Sequence, residues 1–185
     1  AIRTVNKLHE ITAGEVIVDG TNVQELRGSA LQTFRREKMG MVFQHFALFP
    51  HRNIIDNTGY GLKVQGVPKG QRDAAALKAL SMVGLEAYAQ NAVGELSGGM
   101  QQRVGLARAL ALDTDIILMD EAFSALDPLI RSGMQDQLVE LQKTLGKTIL
   151  FITHDFDEAL KIADRIAVLK DGAVQQEGKP EDIVL

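Results

Sequence analysis

"DIILMDE", Asp115–Glu121, decides the fold. Ile116–Met119 is an unbroken apolar run between acids, too short for a helix of ordinary length and without the alternation of a half-exposed strand. It predicts a strand buried on both faces. A second run, "TILFIT" (Thr148–Thr153), follows a helical stretch opened by Asp127-Pro128, a capping residue and then proline at the first helical position. Buried strands alternating with helices predict a parallel α/β sheet with helices on its faces. Ligands of such sheets bind beyond the C-terminal ends of the strands. Asp120 and Glu121 emerge together at that end.

Working outward from there, "MGMVFQ" (Met39–Gln44) reads as another short apolar strand, with Gln44 at the same edge if the strand is parallel. Ala1–His9 reads as helix, Gly14–Gly20 as a short strand ending in a turn at Asp19-Gly20, and Gln24–Lys38 as helix-compatible. From Ile54 to Glu95 the pattern is helical and Ala-rich, broken by "QGVPKG", with no strand candidate. It is expected to form a helical subdomain. A further helix runs from "LSGG" to Leu112. After "TILFIT", Asp155 with Glu158 makes a pair resembling a capping box, and "RIAVLKDGAVQQEG" reads as a hairpin turning at Asp171-Gly172.

The 185 residues are 45% hydrophobic and 24% charged, with net charge −4 and no cysteine. This is the composition of a globular protein with a real core. No basic field marks a nucleic-acid binder, and disulfides and thiolate metal sites are excluded. No apolar run approaches the roughly 18 residues that span a bilayer.

Several stretches carry chemistry. Hard carboxylate oxygens at Asp120 suit Mg²⁺ on a nucleotide, and Glu121 is placed to orient and deprotonate an attacking water. Taken alone, this stretch reads better as a strand that ends in solvated acids. In "LSGGMQQR" (Leu96–Arg103), Ser97 can cap a helix while Gly98 and Gly99 bare its first N–H groups to an anion. A plain capped helix is the simpler alternative. In "THD", His154 follows a strand onto the edge that carries Asp120, where an imidazole can donate to a phosphate oxygen. A lone histidine there is more often structural.

Together, "MVFQ", "LSGGMQQR", "IILMDE", "SALD" and "THD", in this order and spacing, resemble the ATP-binding cassette ATPases over essentially the whole chain. The resemblance implies a nucleotide-binding α/β fold like that of the P-loop NTPases, with a RecA-like core at 1–44 and 113–185. Residues 45–112 would carry the Q-loop, helical subdomain and signature helix. It implies that Gln44 contacts Mg²⁺ or the lytic water. Ser97, Gly98 and Gly99 would bind the γ-phosphate of ATP held by the other copy of a homodimer. Asp120 would be the metal-side aspartate and Glu121 the catalytic glutamate. Asp127 would belong to the D-loop, and His154 would be the switch histidine. "FALFPHRNIIDNTGYGL" and "MDEAFSALDPLIRSGMQDQL" narrow the resemblance to ATPase subunits of glycine betaine/proline betaine importers. Many relatives carry Pro where Ala122 stands.

The implied partners are transmembrane permease subunits on the cytoplasmic face of the membrane and, indirectly, a solute-binding protein, with no nucleic acid. The alternatives are a soluble cassette ATPase of DNA repair or translation, or an inactive cassette that only binds. A G-x-x-x-x-G-K-[ST] phosphate cradle is missing from these residues. "GKT" at Gly146–Thr148 has Leu141 in place of the first glycine and precedes a strand, so it reads as a helix end. The family's cradle would lie just before Ala1, and the chain is therefore expected to be an N-terminally truncated fragment. Phe46, Leu48 and Phe49 are expected either in the core or against a permease helix. His9, His45 and His51 are expected to be surface or loop residues.

Overall fold

The computed structural model describes residues 2–43, 47–124 and 126–183. The chain opens on a short helix α1 (Ile2–Val5) and a small hairpin, β1 (Ile17–Val18) with β2 (Thr21–Asn22). Helix α2 (Gly28–Lys38) leads into strand β3 (Met39–Val42). The helical stretch follows as α3 (Ile54–Thr58), α4 (Tyr60–Val64) and α5 (Lys69–Met82), and then α6 (Gly98–Ala111). Strand β4 (Ile116–Asp120), helix α7 (Pro128–Leu145), strand β5 (Thr148–Ile152) and helix α8 (Phe156–Ile162) complete the α/β alternation. A hairpin of β6 (Ile166–Lys170) and β7 (Ala173–Gly178) follows.

The expected parallel sheet is present in the order β3-β4-β5, with Met119 opposite Val42 on one side and Phe151 on the other. Successive side chains of a strand point to opposite faces, and β4 uses both. Ile117 and Met119 join a large core with Ile54, Leu80, Leu106 and Leu138. Leu118 joins a second core with Ile2, Val23, Phe34 and Met39. All three β4 residues are 1% exposed or less, which is why the run carries no alternation.

Three features differ from what the sequence suggests. The first helix stops at Val5, because Lys7 takes a positive φ of 54°. Its buried ammonium donates to the carbonyls of Gln24 (2.9 Å) and Leu26 (3.0 Å), while Arg35 donates to the carbonyl of Asn6 (2.7 Å). These distant partners pull the chain out of the helix. The Gly14–Gly20 strand shrinks to Ile17–Val18, because Asp19 and Gly20 both adopt positive φ and turn the chain at once. Lys38 anchors that turn by donating to Asp19 at 2.6 Å, a hydrogen bond that holds the Asp19 carboxyl below its usual range and raises the lysine. Third, the capping box at Asp155 is half formed. Asp155 accepts from Glu158 N (3.1 Å), but the buried Glu158 carboxylate accepts from Gln135 (3.0 Å). "GKT" is a helix end, as read: Gly146 closes α7 in the left-handed region and Thr148 opens β5.

Leu118→Ala removes a fully buried side chain from the central strand and is expected to cost about 2–5 kcal/mol. Val64→Ala, on an exposed position of α4, is expected to change stability by less than about 0.5 kcal/mol. Urea unfolding midpoints of the two variants check this contrast.

Candidate functional site

Parallel pairing sets Asp120 opposite Ile152, so the chain leaves β4 and β5 at the same level. Glu121 is the first residue beyond β4 and sits at φ 48°, a left-handed conformation that costs a non-glycine residue roughly 1–3 kcal/mol. Its surroundings impose it. The Glu121 N–H donates to the Ile152 carbonyl (3.0 Å), and its own carbonyl accepts from the Ser124 N–H (3.2 Å) and hydroxyl (2.9 Å). The carboxylate is thereby carried toward His154, whose Nδ1 lies 3.6 Å from Oε2. That distance exceeds a hydrogen bond, and the two side chains face each other across it. The two side chains are 35% and 72% exposed, open to a ligand entering from solvent.

Asp120 belongs to the same edge. Arg3 Nε donates to its Oδ2 at 3.1 Å. Arg3 is absent from every motif of the sequence reading. The only signal for it is that α1 packs Ile2 into the core beneath β4, which sets the next residue near the strand's end.

The start of α6 is a second cluster. Ser97 accepts from the Met100 N–H at 3.4 Å, and both Ser97 and Gly98 are exposed. Gly99 is buried, and a Cβ there would meet Ile130 Cγ2 at 2.4 Å. This glycine is needed for close approach of α6 to α7 as well as for any bare backbone. Gln101 donates to the carbonyls of Val93 (3.3 Å) and Leu96 (3.0 Å), fixing the turn that presents Ser97. Asp127 caps α7 by accepting from Ile130 N at 3.1 Å, with Pro128 in the first turn. Gln44 lies outside the described residues, as do His45 and Phe46.

Beside this edge, an open apolar hollow of about 390 Å³ is lined by Met41, Phe43, Ala47, Phe49, Tyr60 and Leu112, among others. The Phe49 and Tyr60 rings lie 4.4 Å apart between centroids, tilted 52° to each other, and Arg52 lies 5.4 and 5.0 Å over them. The buried Asn57 ties the loop down: it accepts from Phe49 N (2.7 Å) and donates to the carbonyls of Phe49, Arg52 and Asn53. Of the hydrophobic residues in question, Leu48 packs on the core and Phe49 lines the hollow. Arg108 closes one side, donating to the Ala47 carbonyl (2.7 Å), and burial pushes its guanidinium below its usual pKa.

The family model described as ABC transporter matches residues 1–124. The chain is 56% identical over 184 residues to the glycine betaine transport ATP-binding protein OpuAA of Bacillus subtilis, covering 100% of this chain and 44% of that protein. It is 53% identical to the glycine betaine/proline betaine transport system ATP-binding protein ProV of Escherichia coli, with 99% and 46% covered. Among solved structures, the ADP- and Pi-bound dimer of the ATP-binding cassette MJ0796 superposes with TM-score 0.84 at 36% identity, covering 97% of this chain and 78% of that one. The chain spans about half the length of the curated relatives it matches.

Gly99→Ala is expected to destabilise by about 1–3 kcal/mol, because its methyl overpacks against Ile130. In an Ile130→Ala background most of that penalty is expected to vanish. A double-mutant cycle in urea measures the coupling.

Proposed function

This chain belongs to the ABC transporter family, and from that premise we propose that it is part of the ATP-hydrolysing subunit of a membrane importer for glycine betaine, proline or a related quaternary amine. The observation that carries the reading is the Glu121–His154 pair at the C-terminal end of a parallel sheet, one residue beyond Asp120. The solute class is supported by relatives described as glycine betaine, proline betaine and carnitine transport proteins.

In this reading Glu121 takes the proton of the attacking water, His154 donates to an oxygen of the γ-phosphoryl group that the water attacks, and ADP leaves. Among the described residues, no cluster of three or more His, Cys, Asp or Glu side chains forms a metal site. Mg²⁺ on a nucleotide is commonly held by one or two carboxylates plus substrate phosphates and waters. Asp120 would hold it, with Gln44 assigned to the same task by its motif, and the ion supplies charge neutralisation at the phosphates. Arg3 balances the Asp120 carboxylate at 3.1 Å.

Ser97, Gly98 and Gly99 present the positive end of a 14-residue helix. We assign them to ATP held by a second copy of the chain, in an arrangement supported by the dimeric MJ0796 cassette. Asp127 sits at that interface. The permease subunits dock over the apolar hollow beside Phe49, and a solute-binding protein feeds them from the far side. The subunit works peripherally on the cytoplasmic face, with no role for nucleic acid. Among the described residues, no helix is long and apolar enough to cross a membrane.

Glu121→Gln in the full-length subunit is expected to retain ATP binding and to slow phosphate release by roughly 10²–10⁴-fold. Nucleotide titration and steady-state phosphate release, measured side by side, check it. Turnover at the unmodified rate removes Glu121 from the role of base.

A further inference from the structure

Arg131 lies on the first turns of α7, outside every motif read from the sequence. One of its terminal nitrogens, Nη2, donates to the Leu126 carbonyl at 3.0 Å and the Ser124 carbonyl at 3.4 Å. The other, Nη1, lies 3.6 Å from Oδ2 of Asp155. Asp155 divides its carboxylate between two tasks, because its Oδ1 accepts from Glu158 N and starts α8.

These contacts close a ring. Ser124 Oγ donates to the Glu121 carbonyl, Arg131 binds the Ser124 and Leu126 carbonyls and pairs with Asp155, Asp155 follows His154, and His154 faces Glu121. One guanidinium thus touches both loops that carry the reacting side chains, as well as the turn leading into Asp127. Its side chain is 29% exposed, so the ion pair is partly shielded from screening water.

Resting on the reading of this site as an ATPase, we propose that Arg131 is a positioning residue that sets the separation of Glu121 and His154. It does so by locking the loop after β4 to the loop after β5. The task needs a planar fork. A lysine ammonium can balance Asp155 or reach a carbonyl, but a single point charge cannot span the carboxylate and two carbonyls in this geometry. Small misplacements of reacting groups slow chemistry far more than they weaken ground-state binding. The signature of Arg131 is therefore a loss in kcat with little change in KM for ATP.

The experiment measures ATP hydrolysis by the full-length subunit assembled with its permease, for Arg131→Lys, Asp155→Asn and the double variant. Thermal unfolding of each is recorded alongside. Arg131→Lys is expected to lower kcat by about ten- to a hundredfold, with KM within about threefold and Tm nearly unchanged. Asp155→Asn keeps an oxygen to cap α8 and is expected to lose part of the same activity. The double variant is expected to be no slower than the slower single variant, since both break one link. Unchanged kcat in Arg131→Lys, additive losses in the double variant, or a fall in Tm that tracks the fall in kcat each overturns the proposal. Glu121→Gln in the same assay separates the two readings. If Glu121→Gln is fast, the ATPase assignment of the site has failed. If it is slow while Arg131→Lys is fast, only the role of Arg131 has failed.

Discussion

The parallel register between β4 and β5 is the constraint on which the site depends. Asp120 pairs with Ile152, and the Glu121 N–H extends the ladder by one more bond to the Ile152 carbonyl. That last bond holds the two strand ends level, so that Glu121 and His154, distant in sequence, meet across a few ångströms. A slip of one residue would exchange the faces of Ile117 and Met119 with that of Leu118, and each core would have to repack around side chains shaped for the other. The packing that stabilises the centre of the sheet therefore also fixes the geometry at its edge.

The helices around this edge are held by side chains reaching for backbone. Gln101 grips the turn before α6, Asn57 grips the loop before α3, and Arg131 grips the turn before α7. Each ties carbonyls of a loop to the helix that follows it, which satisfies those backbone acceptors outside regular secondary structure. Arg3 acts differently, since it balances the charge of the one carboxylate assigned to a cation.

Much of this was legible in the sequence, for physical reasons that differ by element. The β4 run was readable because burial on both faces leaves no polar position. The turns at Asp19-Gly20 and Asp171-Gly172 were readable because their positive φ values demand that chemistry. Asp127 was readable as a cap because Pro128 follows it. The early end of α1, the half-formed capping box and the roles of Arg3, Asn57 and Arg131 were not. In most of these the deciding partner is far along the chain: Gln24, Leu26 and Arg35 for the turn at Lys7, Gln135 for Glu158, Asp120 for Arg3, and Asp155 for Arg131. Local periodicity carries no record of such partners. The meeting of Glu121 with His154 was anticipated only as a shared edge, and the left-handed backbone that aims the glutamate had no signal at all.

That left-handed residue bears on how this protein can be improved. A glycine or asparagine at position 121 adopts φ 48° more comfortably than glutamate does. Screens that reward only folding yield or heat resistance would favour such replacements and, on the assignment of Glu121 as base, discard the chemistry with the strain. Variant libraries built for robustness therefore need this position held fixed, because its discomfort and its usefulness have the same source.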